Sequence, residues 1–378
     1  MTRSLLVIQD SLDFGGHEAM FLRFLPALIE SGNYRRIVMR FPAGNARLAE
    51  RLRPFESDHF EGRGWNFSKR RAEPYLAGFR RDYARAFRRL FAAERPAAVL
   101  LLQGRIENCA VPMLAAPAGS FLISYVPMAH RMTDMGRAAV PGDIVRRRLY
   151  GRPNRFIVPG HAVAEQVARA GGHSPVSVVE NVVDPPASSG KEAARAALGV
   201  GQYARIALFL GRLDVRQKGL DTLLAAIRRH ADRLAGWIFV FIGAGEGTTA
   251  CESLRDDLQD RIEIRCVPWT ERPQEALAAA DLLLMPSRWE GVPLVMLEAM
   301  GHGLPILASD IDVFRDYLPA ANRIDFATAD LAGAMTRVIE PEQADLYRLL
   351  ARKRLAESSL ARSSERFVEA LLPEGADA

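Results

Sequence analysis

The residues of this chain best placed to do chemistry are two glutamates eight positions apart, Glu290 and Glu298, in the stretch PSRWEGVPLVMLEAMGHGLPILASD at 286–310. A loop carboxylate and another two helical turns on stand roughly 10–12 Å apart along a helix axis. That is too far to share one proton or clamp one metal ion, and it suits two ends of one extended ligand. Taken alone, the pair reads equally well as an exposed loop residue and a solvent-facing helix residue, because charged side chains mostly stay in water. Upstream, Gly211-Arg212 and Lys218-Gly219 bracket a loop that delivers two cations beside a helix start. A diphosphate needs cations and N–H donors together, although two solvated basic residues are the plainer reading. Gly15-Gly16 closes a strand before a helix, where missing Cβ atoms let backbone N–H groups approach a phosphate or where an ordinary turn sits. His130 follows a strand end; it is one of seven histidines, so its residue type alone says little.

Such residues need strand ends and helix starts, and the apolar pattern supplies both. Short apolar runs at 5–9, 37–41, 97–103, 119–125, 156–159 and 176–179 predict strands in the first half, and runs at 205–210, 237–242, 261–267, 281–285 and 305–308 predict them in the second. Three- and four-residue apolar spacing predicts helices over 18–29, 74–93, 221–231, 292–300, 330–338, 344–356 and 362–372. Alternating strands and helices imply parallel sheets, whose ligands lie outside the carboxyl ends of the strands. The helix over 74–93 interleaves five arginines with its apolar stripe, either a solvated face or a contact with an anionic membrane.

The run SRWEGVPLVMLEAMGHGLPILASD resembles the E-x7-E segment of the retaining, family-4 glycosyltransferases of the GT-B fold. Three more stretches agree in order. Asp-Phe-Gly15-Gly16-His-Glu18 is similar to the family's glycine-rich first loop. The pattern G-R-x5-K-G-x-D from Gly211 to Asp221 is similar to its diphosphate clamp, one residue longer than the common form. Glu180-Asn-Val-Val-Asp184 resembles its interdomain N-G-V-D, with Val182 where glycine is usual. The resemblance implies two Rossmann-like domains facing each other across a cleft: an acceptor-side domain at 1–184, a donor-binding domain at 185–360 and a helix at 361–378 returning to the first. It implies a nucleotide-diphosphate sugar as donor, UDP-sugar favoured and GDP-mannose as the alternative. Arg212 and Lys218 would hold the diphosphate and Glu298 the ribose. Glu290 and His130 would contact the sugar, aided by backbone at Gly15, Gly16, Gly211, Gly243, Gly291, Val292, Pro293 and Leu294. The expected acceptor is a saccharide or lipid-linked saccharide of a surface polysaccharide. No metal or other cofactor is expected, and Asp310-Ile-Asp312 is read as a turn or helix cap. Rival readings are a nucleotide-sugar epimerase or phosphorylase of the same fold and a non-catalytic partner protein.

At 378 residues and 49% hydrophobic content the chain can bury two cores. No run approaches 18 apolar residues and no signal peptide pattern is present, so the expectation is a cytoplasmic protein, with peripheral contact at an anionic inner membrane face as one option. The net charge of +5 hides an asymmetry, since residues 1–190 hold 27 Lys and Arg against 17 Asp and Glu. A basic half suits an anionic surface or substrate. Nucleic acid is not expected, because no helix-turn-helix, zinc-finger or base-stacking motif accompanies it. Gly243-Ala-Gly245 fails the dinucleotide fingerprint at Thr248, and His17-Glu18 fails the zinc protease motif at Phe21. The cysteines, Cys109, Cys251 and Cys266, lack metal spacing and read as buried free thiols.

Overall fold

The computed structural model describes residues 3–136, 140–186, 190–270 and 272–373. Arg137, a basic residue in the stretch that follows His130, and residues 187–189 lie outside them. The chain divides into two compact units, 1–182 with 358–378, and 183–357.

The first unit holds a seven-stranded sheet in the order β3-β2-β1-β4-β5-β6-β7, every pair parallel. Its strands are β1 Ser4–Ile8, β2 Arg36–Pro42, β3 Phe60–Trp65, β4 Ala98–Leu102, β5 Leu122–Tyr125, β6 Arg155–Val158 and β7 Val176–Val178. Helices on both faces explain why β1 and β4 are continuous apolar runs buried along their whole length. The helix Leu360–Ala370 belongs to this unit: Phe367 packs its ring against Phe24 at 5.1 Å, Tyr125 at 5.9 Å and Phe21 at 6.2 Å. Tyr34 donates to the Leu371 carbonyl at 2.5 Å.

The second unit holds a six-stranded sheet, β10-β9-β8-β11-β12-β13, again all parallel. Its strands are β8 Arg205–Leu210, β9 Trp237–Ile242, β10 Glu263–Val267, β11 Leu282–Met285, β12 Ile306–Ser309 and β13 Arg323–Ile324. Both units are thus Rossmann-like.

Two expectations need correction. The single helix over 74–93 is instead a turn of helix at Glu73–Leu76, a 3-10 turn at Ala77–Phe79 and a helix at Arg81–Glu94. The break falls at Arg80, whose guanidinium is drawn inward to the fully buried Glu73 at 2.9 Å. Strand β3 was not foreseen, since FEGRGW is a polar edge strand with two glycines.

Candidate functional site

In the second sheet the chain order reverses between β8 and β11, and the loops leaving those strands are 211–219 and 286–293. A reversal of this kind opens a crevice at the carboxyl edge of a parallel sheet. Backbone contact holds the loops together. Gly219 is left-handed (φ +62°), and a Cβ there would lie 2.0 Å from the Pro286 carbonyl oxygen. Gly243, after β9, lies so close to Gly211 that a Cβ would meet its carbonyl oxygen at 1.8 Å. These glycines are required by space as well as by φ.

The side chains follow from that frame. Lys218 Nζ meets Glu290 Oε1 at 2.6 Å, with Glu290 buried and Lys218 largely so. The Ser287 hydroxyl donates to the same oxygen at 2.7 Å. Arg212 reaches out, 62% exposed, steadied by Asp214 at 3.2 Å and by Gln217 Oε1 at 2.9 Å. Gln217 is buried and ties the loops, its amide N–H bonding Asp214 at 2.7 Å while its carbonyl accepts the Arg288 N–H at 2.9 Å. Arg288 also grips Asp221 with two bonds of 2.7 and 2.8 Å and donates to the Val215 carbonyl at 2.7 Å. Burial pushes the Asp221 carboxyl up, but Arg288 outweighs it and holds the group below the usual range. The helix Leu294–Gly301 starts at Pro293 with no side-chain cap, and half-buried Glu298 lies on its second turn. A loop edge with a half-exposed guanidinium, an ammonium and an uncapped helix start can hold a polyanion.

In the first unit the corresponding reversal lies between β1 and β4. Gly15 caps the helix Gly16–Glu30, and its N–H is bonded by Glu18 Oε2 at 2.8 Å in a capping box. In this structure that N–H is satisfied within the loop itself. Glu18 is fully buried and also meets Gln9 Nε2 at 2.9 Å and His17 Nε2 at 2.9 Å. Burial pushes its carboxyl up, and these partners more than reverse the effect. Asp10 has weaker support. It accepts from Asn108 at 3.1 Å and the Cys109 N–H at 2.7 Å, and burial pushes it up to about 6. His130 is buried in the stretch after β5, its carbonyl accepting from Arg146 at 2.7 Å.

The structure therefore brings Lys218 and Glu290 into contact, links Arg212 to them through Gln217, and sets Gly211, Gly243 and residues 291–294 at the same edge. Glu298 stands further along its helix. Gly15, Gly16 and His130 belong to the first unit. Sequence reasoning missed Gln217, Ser287 and Arg288; their positions beside Lys218 and Glu290 were the available signal. Asp310 is paired with Arg315 at 2.9 Å and with Arg323, and Asp312 opens the helix Asp312–Tyr317. Among the described residues no cluster of three His, Cys, Asp or Glu is placed to hold a metal ion. Cys109 and Cys251 are buried thiols and Cys266 is half-buried.

Two all-parallel Rossmann-like units define a fold class: the chain has the GT-B fold, and its second unit is similar to glycosyltransferases. Residues 204–340 match the family described as glycosyl transferases group 1. The lipopolysaccharide core biosynthesis glycosyltransferase LpsE of Rhizobium meliloti is 28% identical over 302 residues, 78% of this chain and 76% of LpsE. The lipopolysaccharide glucosyltransferase WaaG of Escherichia coli is 26% identical over 43% of this chain and 40% of its own length. Among solved structures, Anabaena Alr3699/HepE in complex with UDP and glucose superposes with a TM-score of 0.72 at 17% identity, covering 98% of this chain and 99% of HepE; at that identity the likeness is one of fold.

Proposed function

We propose that the chain is a retaining, metal-independent glycosyltransferase of family 4. It moves a hexosyl group from a nucleotide-diphosphate sugar, a UDP-sugar first and GDP-mannose second, to a saccharide or lipid-linked saccharide of a surface polysaccharide. The observation that carries this reading is the Lys218–Glu290 pair at 2.6 Å, seated with Arg212 between the loops after β8 and β11. The lipopolysaccharide roles in the names of LpsE and WaaG, and the UDP in the HepE complex, support the substrate classes.

In this mechanism Arg212 and Lys218 hold the diphosphate, and Glu298 accepts hydrogen bonds from the ribose hydroxyls. Glu290, oriented by Ser287 and Lys218, accepts from a sugar hydroxyl, with His130 on the sugar as well. The acceptor hydroxyl oxygen bonds to the anomeric carbon on the face the phosphate leaves, and the anomeric C–O bond to the β-phosphate breaks. The hydroxyl proton passes to the departing phosphate oxygen, leaving a glycosylated acceptor and a nucleoside diphosphate. Negative charge grows on that oxygen, so cations already placed beside it lower the barrier more than they tighten substrate binding. No step calls on a metal ion.

Lys218→Ala tests the reading. Turnover with a nucleotide sugar should fall by about two to three orders of magnitude, the scale of one lost transition-state donor. Near-normal turnover would remove the clamp, and an epimerised donor formed without acceptor would favour the epimerase.

A further inference from the structure

The amino edge of the second sheet, at the far end of the strands from the loops 211–219 and 286–293, carries a cavity of about 500 Å³. Three strand starts frame it: Arg205 opens β8, Asp281 precedes β11, and Gly303-Leu304-Pro305 precede β12. Lys191, His302 and Arg348 complete its polar wall, and Ala278 and Ile339 lie half-buried on an apolar side. Space of that size takes a small molecule.

The charge balance says which kind. Asp281 is the one acid among the described lining residues, and its carboxylate is already satisfied: buried Arg195 donates to Oδ2 at 2.5 Å and the Ile206 N–H at 2.8 Å. Lys191 meets the other oxygen at 2.6 Å with half of its side chain exposed, so two cations share one negative charge. Arg348 donates to the Gly303 carbonyl at 3.3 Å and pairs at 2.7 Å with an Asp345 that is itself in water, a pair worth little. Arg205 is exposed, and among the described residues no carboxylate pairs with it. Glu192, beyond Arg205, is taken by the Gln202 amide at 3.0 Å. Burial holds the His302 imidazole below its ordinary value, which leaves it an uncharged hydrogen-bonding group beside Gln274 at 2.7 Å.

We propose that this cavity binds a small organic monophosphate, its phosphate between Arg205, Lys191 and Arg348 and its body against Ala278 and Ile339. The site is placed to regulate. The helix Leu294–Gly301 starts at the loop carrying Glu290 and ends at His302, whose N–H bonds the Glu298 carbonyl at 3.1 Å. A helix of that length spans only about 12 Å. A phosphate that fixes the turn at His302-Gly303 therefore orders the helix bearing Glu298, and donor binding tightens with it. This coupling rests on the donor site proposed above; occupation of the cavity does not.

Calorimetry with phenyl phosphate on the Lys218→Ala chain, whose donor clamp is disabled, tests the site. Phenyl phosphate should bind more tightly than inorganic phosphate, which has no body for the apolar wall. Arg205→Gln/Arg348→Gln in that background should weaken it by about tenfold or more, the scale of a lost charged hydrogen bond, at an unchanged thermal midpoint. Arg205→Gln alone, at a side chain that holds nothing in the fold, should weaken it as well. Absence of binding at millimolar probe, or binding that both variants leave intact, would overturn the site. In the unmutated chain phenyl phosphate should lower the KM for the nucleotide sugar by about fivefold, an effect lost in Arg205→Gln/Arg348→Gln. An unchanged KM beside proven binding would overturn the coupling, whereas an inactive chain that still binds the probe would count against the donor reading and for the cavity.

Discussion

The two sheets present the same kind of edge and fill it in opposite ways. At the β8/β11 reversal the backbone is pressed together at Gly219, Gly243 and Gly211, while Arg212 is held outward by short neighbours. At the β1/β4 reversal the polar groups are turned inward. Gln9, Asp10 and Glu18 are fully buried and are met by Asn108, Cys109 and His17. At the β8/β11 edge Arg212 stays in water and needs no internal counter-charge at full desolvation cost, while the largely buried Lys218 has Glu290 beside it. The other edge spends its polar groups on its own loops.

The sharpest way to break this contrast is Gly243→Ala. The added Cβ cannot coexist with the Gly211 carbonyl, so the second unit should lose about 3–5 kcal/mol of stability. Urea denaturation at an unchanged midpoint would mean that the loops are not pressed together.

Asp10 supplies the next largest effect. Its carboxyl sits at about 6 in the folded chain, above its unfolded value. Below about pH 4 both states are protonated and the group is neutral to stability. Between about pH 4 and 6 the unfolded state releases the proton first, so stability falls as pH rises, by about 3 kcal/mol in all. Asp10→Asn should flatten that fall in a thermal melt series from pH 4 to 7. Glu18, held below its ordinary value, works with the opposite sign: its contribution is present at neutral pH and disappears as acid protonates it.

Glu298→Ala should weaken nucleoside diphosphate binding by about tenfold, the worth of a charged hydrogen bond. Calorimetry giving wild-type affinity would end the ribose assignment. The smallest effect belongs to Asp310→Ala, which breaks two exposed pairs with Arg315 and Arg323. It should cost about 0.5–1 kcal/mol and leave turnover unchanged. A large loss of turnover would return Asp310-Ile-Asp312 to the list of functional groups.

Much of the second edge was legible in the amino-acid order because its geometry is enforced by residue type. Glycine at 211, 219 and 243 and proline at 286 and 293 leave the loops few alternatives, and Arg212, Lys218, Glu290 and Glu298 keep fixed spacings from them. The first edge was harder to read. Asp10 finds Asn108 and Cys109 across roughly a hundred residues, and nothing local marks that pairing. The broken helix near Arg80 was hidden for a similar reason: an apolar stripe at helical spacing continues through the break, while the buried Glu73–Arg80 pair that causes it looks on paper like two surface charges. Strand β3 lacks the apolar run that exposed its neighbours, because an edge strand with a half-wet face needs none.

The helix Leu360–Ala370 makes the first unit discontinuous in sequence, with residues 183–357 inserted ahead of the segment that seats Phe367 on Phe21, Phe24 and Tyr125. On a ribosome the inserted unit emerges whole and can fold while the earlier one still waits for its last helix. Until that helix arrives, an aromatic socket stays open, a natural target for a chaperone and the weak point of any chain cut short near residue 357.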